Sequence, residues 1–280
     1  MITTGKLQQE ITQILTQSGN SNAEFETEYI LSEALDCSRL DLHLNTNKEI
    51  TDIDAERIHA IAKRRSKNEP LQYIFEKAYF MNLCLTVGPG VLIPRPETEL
   101  LVEYVCKQSA PNAHICDIGT GSGTISLSIA YERPDTKVIG VDVKEAALKY
   151  AQINKDKYKI TNIELMQSNL FSALSNRKFD VITANLPYIS QVEYDKLEDE
   201  VKVHEPKSAL YADNEGRALI AQTIIDAPNY LEQNGLIIFE IGYEQGPAIK
   251  ELLNQNGNYS DSEIIKDLNQ LDRFVKARLK

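Results

Sequence analysis

The chain has 280 residues, with 30 Lys+Arg against 41 Asp+Glu, a net charge of −11 with histidine neutral. At about 150 residues per domain, this length predicts one large domain or two smaller ones, enough to bury a core without disulfides or metal. A hydrophobic share of 42% and a charged share of 25% exclude a disordered or collagenous chain, and the net acidity argues against a protein that grips duplex nucleic acid through its phosphates.

Cys37, Cys84, Cys106 and Cys116 lie far apart with no C-x-x-C pair. That is neither a zinc signature nor a disulfide framework, so no metal is expected, and reduced thiols in a cytoplasmic protein are the simplest account. The start, MITTGKLQQEITQIL, lacks a basic segment followed by an apolar run, so no secretory leader is expected. No apolar stretch approaches the ~20 residues that span a bilayer, which predicts no membrane partner.

Residues 1–70 predict helices. Leu7, Ile11, Ile14 and Leu15 recur at helical spacing, as do Phe25, Tyr29, Ile30 and Ala34, and then Ile58, Ile61 and Ala62. Asn22 stands where an N-cap belongs. The run Lys63-Arg64-Arg65 reads as a solvated helix C-terminus that suits the macrodipole. No residue here reads as catalytic. Residues 71–93 change character: aromatic and β-favouring residues ending in Gly88-Pro89-Gly90 predict a β-hairpin or short strands linking two domains. Pro96, Glu97 and Glu99 suit the first turn of the helix that follows.

From residue 113 strands and helices alternate. HICDIG, KVIGVDV, NIELMQS, FDVITA and LIIFEIG read as strands. TISLSIAYERP, EAALKYAQINKDKY, a segment around 215–233 and one after Gly246-Pro247 read as helices. DRFVKARL belongs to a final strand pair. This rhythm predicts an α/β, doubly wound, mostly parallel sheet over residues 94–280.

In such sheets ligands bind at the carboxyl ends of strands, and three strand ends here carry unusual residues. The first is Asp117-Ile118-Gly119-Thr120-Gly121-Ser122-Gly123. Missing side chains let a ligand approach the backbone, and the helix start favours an anionic group. The plain alternative is a tight turn that needs glycine. The spacing is G-x-G-x-G, which fits neither the dinucleotide fingerprint nor a P-loop. The second is Asp142, about 20 residues on, where a carboxylate can accept from two ribose hydroxyls or cap the next helix. Asn169, closing the third strand, is a candidate adenine contact or a turn cap. The third is Asn185-Leu186-Pro187-Tyr188. An amide oxygen, backbone carbonyls and an aromatic face there can grip a planar –NH2; an ordinary Asn-x-Pro turn is the alternative.

These residues, with VLIPRPETE (Val91 to Glu99), PLQYIFEKAYF, HEPKSALYA (His204 to Ala212) and DRFVKARL, resemble the release factor glutamine methyltransferases of the PrmC/HemK family over nearly the whole chain. The resemblance implies a seven-stranded methyltransferase sheet and a small helical N-terminal domain that docks substrate. It also implies S-adenosylmethionine as methyl donor. Gly119, Thr120, Gly121, Ser122 and Gly123 would line its methionine side, Asp142 would hold the ribose, and Asn169 and Leu170 would meet the adenine. Asn185, Leu186, Pro187 and Tyr188 would form the acceptor site, with Asn185 also bordering the donor. The implied acceptor is the Gln of Gly-Gly-Gln in bacterial class 1 release factors. Two residues depart from the family pattern. Leu186 replaces the first proline of N-P-P-Y, which removes one rigid φ but keeps the carbonyl, and Glu76 stands where the linker hairpin usually has Gly. Arg95 and Glu97 read as charges that brace the domain junction, and Glu205 reads either as a group supporting the acceptor site or as a structural charge. The alternatives are a DNA or RNA adenine amino methyltransferase, which needs a cationic groove, and a non-catalytic donor-binding module. Nothing in the sequence specifies an oligomeric state, and a monomer is taken as the default.

Overall fold

The computed structural model describes residues 2–280. The chain forms two compact units. One runs to Phe75 and is joined by Asp199–His204; the other comprises Glu76–Glu198 and Glu205–Lys280.

The first unit is built on helices Thr4–Gln17, Ala23–Leu35, Arg39–Leu44 and Asp52–Arg65, with a small antiparallel pair of strands β1 (Ile2–Thr3) and β2 (Glu49–Ile50). Thr3, Ser38 and Thr51 cap three of these helices through their side chains. Leu7, Ile11 and Leu15 form one buried stripe that packs with Ile30, Leu31 and Ile58. Asn22 occupies the N-cap position of its helix, but its side chain makes no capping bond.

Lys63 and Arg64 are solvated as the sequence suggests, but Arg65 is not. Only 9% of its side chain is exposed, and it pairs with Glu26 at 2.5 Å and Glu200 at 2.7 Å. A guanidinium presents a fork of donors that can satisfy two carboxylates at once, so the last residue of the helix turns inward.

The second unit opens with a hairpin of β3 (Ala78–Phe80) and β4 (Leu83–Leu85), preceded by a single helical turn at Leu71–Ile74 that belongs to the first unit. Glu76 has φ 55°, the left-handed region that favours glycine. The family's usual Gly at this point therefore has a backbone reason.

The main sheet has seven strands: β5 (His114–Ile118), β6 (Lys137–Asp142), β7 (Ile163–Gln167), β8 (Phe179–Ala184), β9 (Leu231–Glu240), β10 (Tyr259–Lys266) and β11 (Asp272–Leu279). Their order is β10-β11-β9-β8-β5-β6-β7. β5 to β9 run parallel, while β11 is antiparallel to β9 and to β10. Chain order runs outward one way from β5 to β7 and the other way from β8 to β9. The switch point lies between β5 and β8, where Ile118 pairs with Ala184.

Alternate residues of these strands face opposite sides. Cys116, Ile118, Ile182, Ala184, Ile237 and Phe239 enter one apolar cluster with Ile220 and Ile224 of helix Ala218–Asp226 and Ile249 and Leu253 of helix Gly246–Asn256. The other face is covered by helices Glu99–Gln108, Thr124–Glu132 and Glu145–Tyr158. The segment expected as one helix over 215–233 is shorter: it ends at Asp226, and Ala227–Asn229 is a 3-10 turn. Pro228 has no amide hydrogen to continue the helical ladder. Among the described residues, no helix is long and apolar enough to cross a membrane, and no group of three or more His, Cys, Asp or Glu is placed to hold a metal ion.

Candidate active site

The carboxyl ends of β5, β6, β7 and β8 converge on one cleft. Gly119, Gly121, Asp142, Asn169, Leu170, Asn185, Leu186 and Pro187 all line it. Thr120 and Ser122 line a smaller hollow beside it, together with Arg95, Thr98 and Asn185. A wider depression, lined by His114, Lys137, Glu164 and Arg177 among others, sits at the opposite, amino ends of the strands, away from the topological switch.

The glycine loop is shaped by hydrogen bonds to its neighbour strand. The Gly119 and Thr120 amides both donate to the Val141 carbonyl, at 2.8 and 2.9 Å. All three glycines have positive φ, 78°, 57° and 86° for Gly119, Gly121 and Gly123, a conformation that costs other residues energy. Gly119 is also needed for close approach, because a Cβ there would stand 3.1 Å from Leu186 Cδ2 and 3.8 Å from the Asn185 carbonyl oxygen. The loop thus packs against the Leu186 side chain, with the Asn185 carbonyl just beyond it. Gly123 does not line the cleft; it caps helix Thr124–Glu132, and a Cβ there would stand 2.8 Å from Leu127 Cγ.

Asn154, fully buried, fixes the loop from outside. Its amide donates to the Ser122 carbonyl at 3.0 Å, and its oxygen accepts from Thr86 N at 2.6 Å. Asp142 Oδ2 accepts from Gly121 N at 2.9 Å and Oδ1 from Lys144 N at 2.8 Å. Asp142 is not the cap of the next helix, whose N-cap is Lys144 with no side-chain capping bond; its carboxylate clasps the glycine loop and the turn before that helix, and keeps further lone pairs for a ligand. Leu170 adopts φ 48°, a strained conformation for a non-glycine residue, of the kind that clusters at functional sites.

Beneath the cleft, Asp117 is fully buried, and neither carboxylate oxygen has a hydrogen-bond partner among the described residues. Thr183 Oγ1, its register partner across β5 and β8, is unsatisfied too. Burial pushes the Asp117 carboxyl up to about 7, the polar groups of Thr120 and Ser126 draw it back, and Asp142 pushes it further up.

At the end of β8 the Asn185 amide nitrogen donates to Thr98 Oγ1 at 3.4 Å. The Tyr188 hydroxyl reaches Glu240 Oε1 at 3.5 Å, so it points under the turn rather than into the cleft. The Tyr188 carbonyl accepts from Gln245 Nε2 at 2.8 Å. Gly216, with φ 78°, packs so closely on that carbonyl that a Cβ would overlap it. Glu205 is a brace: it accepts from Ile93 N at 2.9 Å and pairs with Arg95 at 2.5 Å.

The chain is similar in sequence and fold to known proteins. Residues 109–271 match the family described as methyltransferase domain, and residues 6–75 match the PrmC N-terminal domain. The release factor glutamine methyltransferase of Thermodesulfovibrio yellowstonii is 38% identical over 89% of this chain and 90% of its own. That of Coxiella burnetii is 35% identical over 99% of both chains. This chain belongs to the release factor glutamine methyltransferases. A methyltransferase structure from Pyrococcus furiosus, 18% identical with a TM-score of 0.54, covers 80% of this chain and 98% of that one, and shows the shared fold.

For a protein-glutamine methyltransferase, the structure adds residues that the sequence reading passed over. Thr98, Glu240, Gln245 and Asn154 hold the two loops from behind. Glu240 carried a visible signal, a lone charge inside the apolar run LIIFEIG. Thr98 lay inside a motif read only as a whole.

Proposed function

We propose that the chain transfers a methyl group from S-adenosylmethionine to the side-chain amide nitrogen of the Gln in the Gly-Gly-Gln motif of bacterial class 1 release factors. The observation that carries this is the meeting of Asn185 and the glycine loop across the strand switch, with the Asn185 nitrogen committed to Thr98. Its oxygen is then the atom offered to a ligand, which suits a donor-only –NH2 group. The names of the relatives support the acceptor's identity.

The residues fit the methyl donor. A side-chain-free turn at Gly121, where a Cβ would meet nothing within 4 Å, leaves room for its methionine part. Asp142 offers spare lone pairs for a ribose, and Asn169 and Leu170 border the same cleft. Bound there, S-adenosylmethionine would supply an electrophilic sulfonium methyl, with S-adenosylhomocysteine as the thioether left behind. The harder partner is the acceptor, whose nitrogen lone pair is delocalised into its carbonyl. Asn185 Oδ1 and the Leu186 carbonyl accept its two N–H bonds, aim the nitrogen, and stabilise the positive charge that builds there. Pro187 walls the amide plane, Tyr188 anchors the turn from beneath through Glu240, and the proton leaves to solvent. In this reading residues 1–70 dock the release factor, 71–93 link, and 94–280 catalyse.

The test supplies isotopically labelled S-adenosylmethionine with a purified class 1 release factor, DNA and RNA in parallel. Label on the release factor alone is expected; label on either nucleic acid overturns the reading.

A further inference from the structure

We propose that Glu240 is a positioning residue that sets the polarity of the Asn185 amide through Thr98. This rests on the reading of Asn185 as the residue that orients the acceptor. Asparagine presents either an oxygen or an NH2 to its ligand, and the two are nearly the same size. Only the oxygen can accept from a substrate –NH2, so something must choose between them.

The choice is made by a relay. Asn185 Nδ2 donates to Thr98 Oγ1 at 3.4 Å, and the Thr98 hydroxyl donates to Glu240 Oε2 at 2.6 Å. A hydroxyl has one hydrogen. With that hydrogen on the carboxylate, Thr98 can only accept from Asn185, and the Asn185 oxygen turns to the cleft. Glu240 Oε1 meanwhile accepts from Tyr188 at 3.5 Å. One carboxylate thus ties down the first and last residues of the Asn-Leu-Pro-Tyr turn. Glu240 is 1% exposed and ends β9 beside the sheet's switch point.

The relay reverses when the carboxyl gains a proton. Its O–H then donates to Thr98 Oγ1, the Thr98 hydroxyl donates to Asn185 Oδ1 once the amide turns over, and the NH2 faces the cleft, the wrong polarity for a donor-only acceptor. The charged and titratable groups facing Glu240 are few. Burial pushes its carboxyl up to about 7; Thr98, Arg273 on β11 and the Asn185 amide draw it down, and Glu97 pushes it up. Tyr188 is held un-ionised by burial and by Glu240 itself. Arg273 is shared with Asp267, at 3.1 Å.

The test measures kcat, KM for the release factor and cofactor Kd against pH for the full chain and for Glu240→Gln, Thr98→Val, the double variant and Asn185→Ala. Gln at 240 imitates the protonated acid. Its kcat is expected to fall about 10- to 100-fold at about pH 8, the size of a modest misplacement of a reacting group, with KM and Kd nearly unchanged. The wild-type rise of kcat through about pH 7, the value to which burial pushes Glu240, is absent from the variant, and the two converge in acid. Thr98→Val shows the same kcat loss, and the double variant is no worse than the poorer single one, because both break one relay. Wild-type kcat and an unchanged pH limb in Glu240→Gln or Thr98→Val, with Asn185→Ala inactive, overturns the relay and leaves the acceptor site standing. An active Asn185→Ala overturns the acceptor reading, and Glu240 then has nothing to position.

Discussion

Replacing Asp117 by Asn is expected to stabilise the protein in neutral and alkaline solution but not in acid. Asp117 is fully buried on β5; the neighbouring polar groups of Thr120 and Ser126 favour its charge, but burial outweighs them and pushes its carboxyl up to about 7. In the unfolded chain an Asp ionises near ~3.9. Between those values the unfolded state has released a proton that the folded state still holds. Stability therefore falls as pH rises through this window and levels off above it. The slope is about 1.4 kcal/mol per pH unit, which over the window amounts to roughly 4 kcal/mol. Asn has nearly the same shape as the protonated acid and does not titrate. The stability gap between variant and wild type should then grow from near zero at about pH 4 to a few kcal/mol at about pH 8. Glu240, similarly raised, contributes equally to both proteins and cancels in the difference. Urea unfolding at four or five pH values and constant ionic strength reads the gap directly. A gap that does not change with pH would show that Asp117 is comfortably ionised in the folded protein and would refute the reasoning.

Three further outcomes are expected. Asn185→Ala should lower turnover by roughly 100- to 1000-fold, the scale of a lost charge-stabilising group, while calorimetry finds cofactor binding largely intact, because the backbone carbonyl of residue 185 beside Gly119 remains. Asp142→Ala should weaken cofactor binding roughly tenfold to a hundredfold, the worth of a hydrogen bond to a charged group, since it removes both the ribose acceptor and the clasp on Gly121 N. Glu76→Gly should raise thermal stability by about 1 kcal/mol by relieving a left-handed non-glycine residue; a lower melting temperature would mean that the Glu76 side chain holds something that the backbone argument leaves out.

The parts of the site that were legible in sequence are those where chemistry forces rare residues into short spans. Three alternating glycines, an acidic residue ending the next strand and Asn-x-Pro-Tyr each break the surrounding hydrophobic pattern, and the cleft brings most of them together. The parallel sheet was legible because each strand is a short apolar run between helices. Residues 191–216 are not, because they fold as three helices of four to six residues, too short for a 3.6-residue period to show, and a turn in which Asn214, Glu215 and Gly216 all have positive φ. The burial of Arg65 is invisible in sequence because its partners Glu26 and Glu200 lie far off in the chain, and no local pattern reports a long-range pair. Nor does the sequence show that Glu240, a residue on a different strand, draws the Tyr188 hydroxyl beneath the turn.

The most direct test of the central claim is to incubate the protein with labelled S-adenosylmethionine and a purified class 1 release factor, and to map the modified residue by peptide mass spectrometry. The account predicts a single methyl on the side-chain nitrogen of the Gln in Gly-Gly-Gln, formed roughly 100- to 1000-fold more slowly when Asn185→Ala replaces the wild type. Bound cofactor with no methyl on that Gln, or a methyl on a different residue, would contradict it.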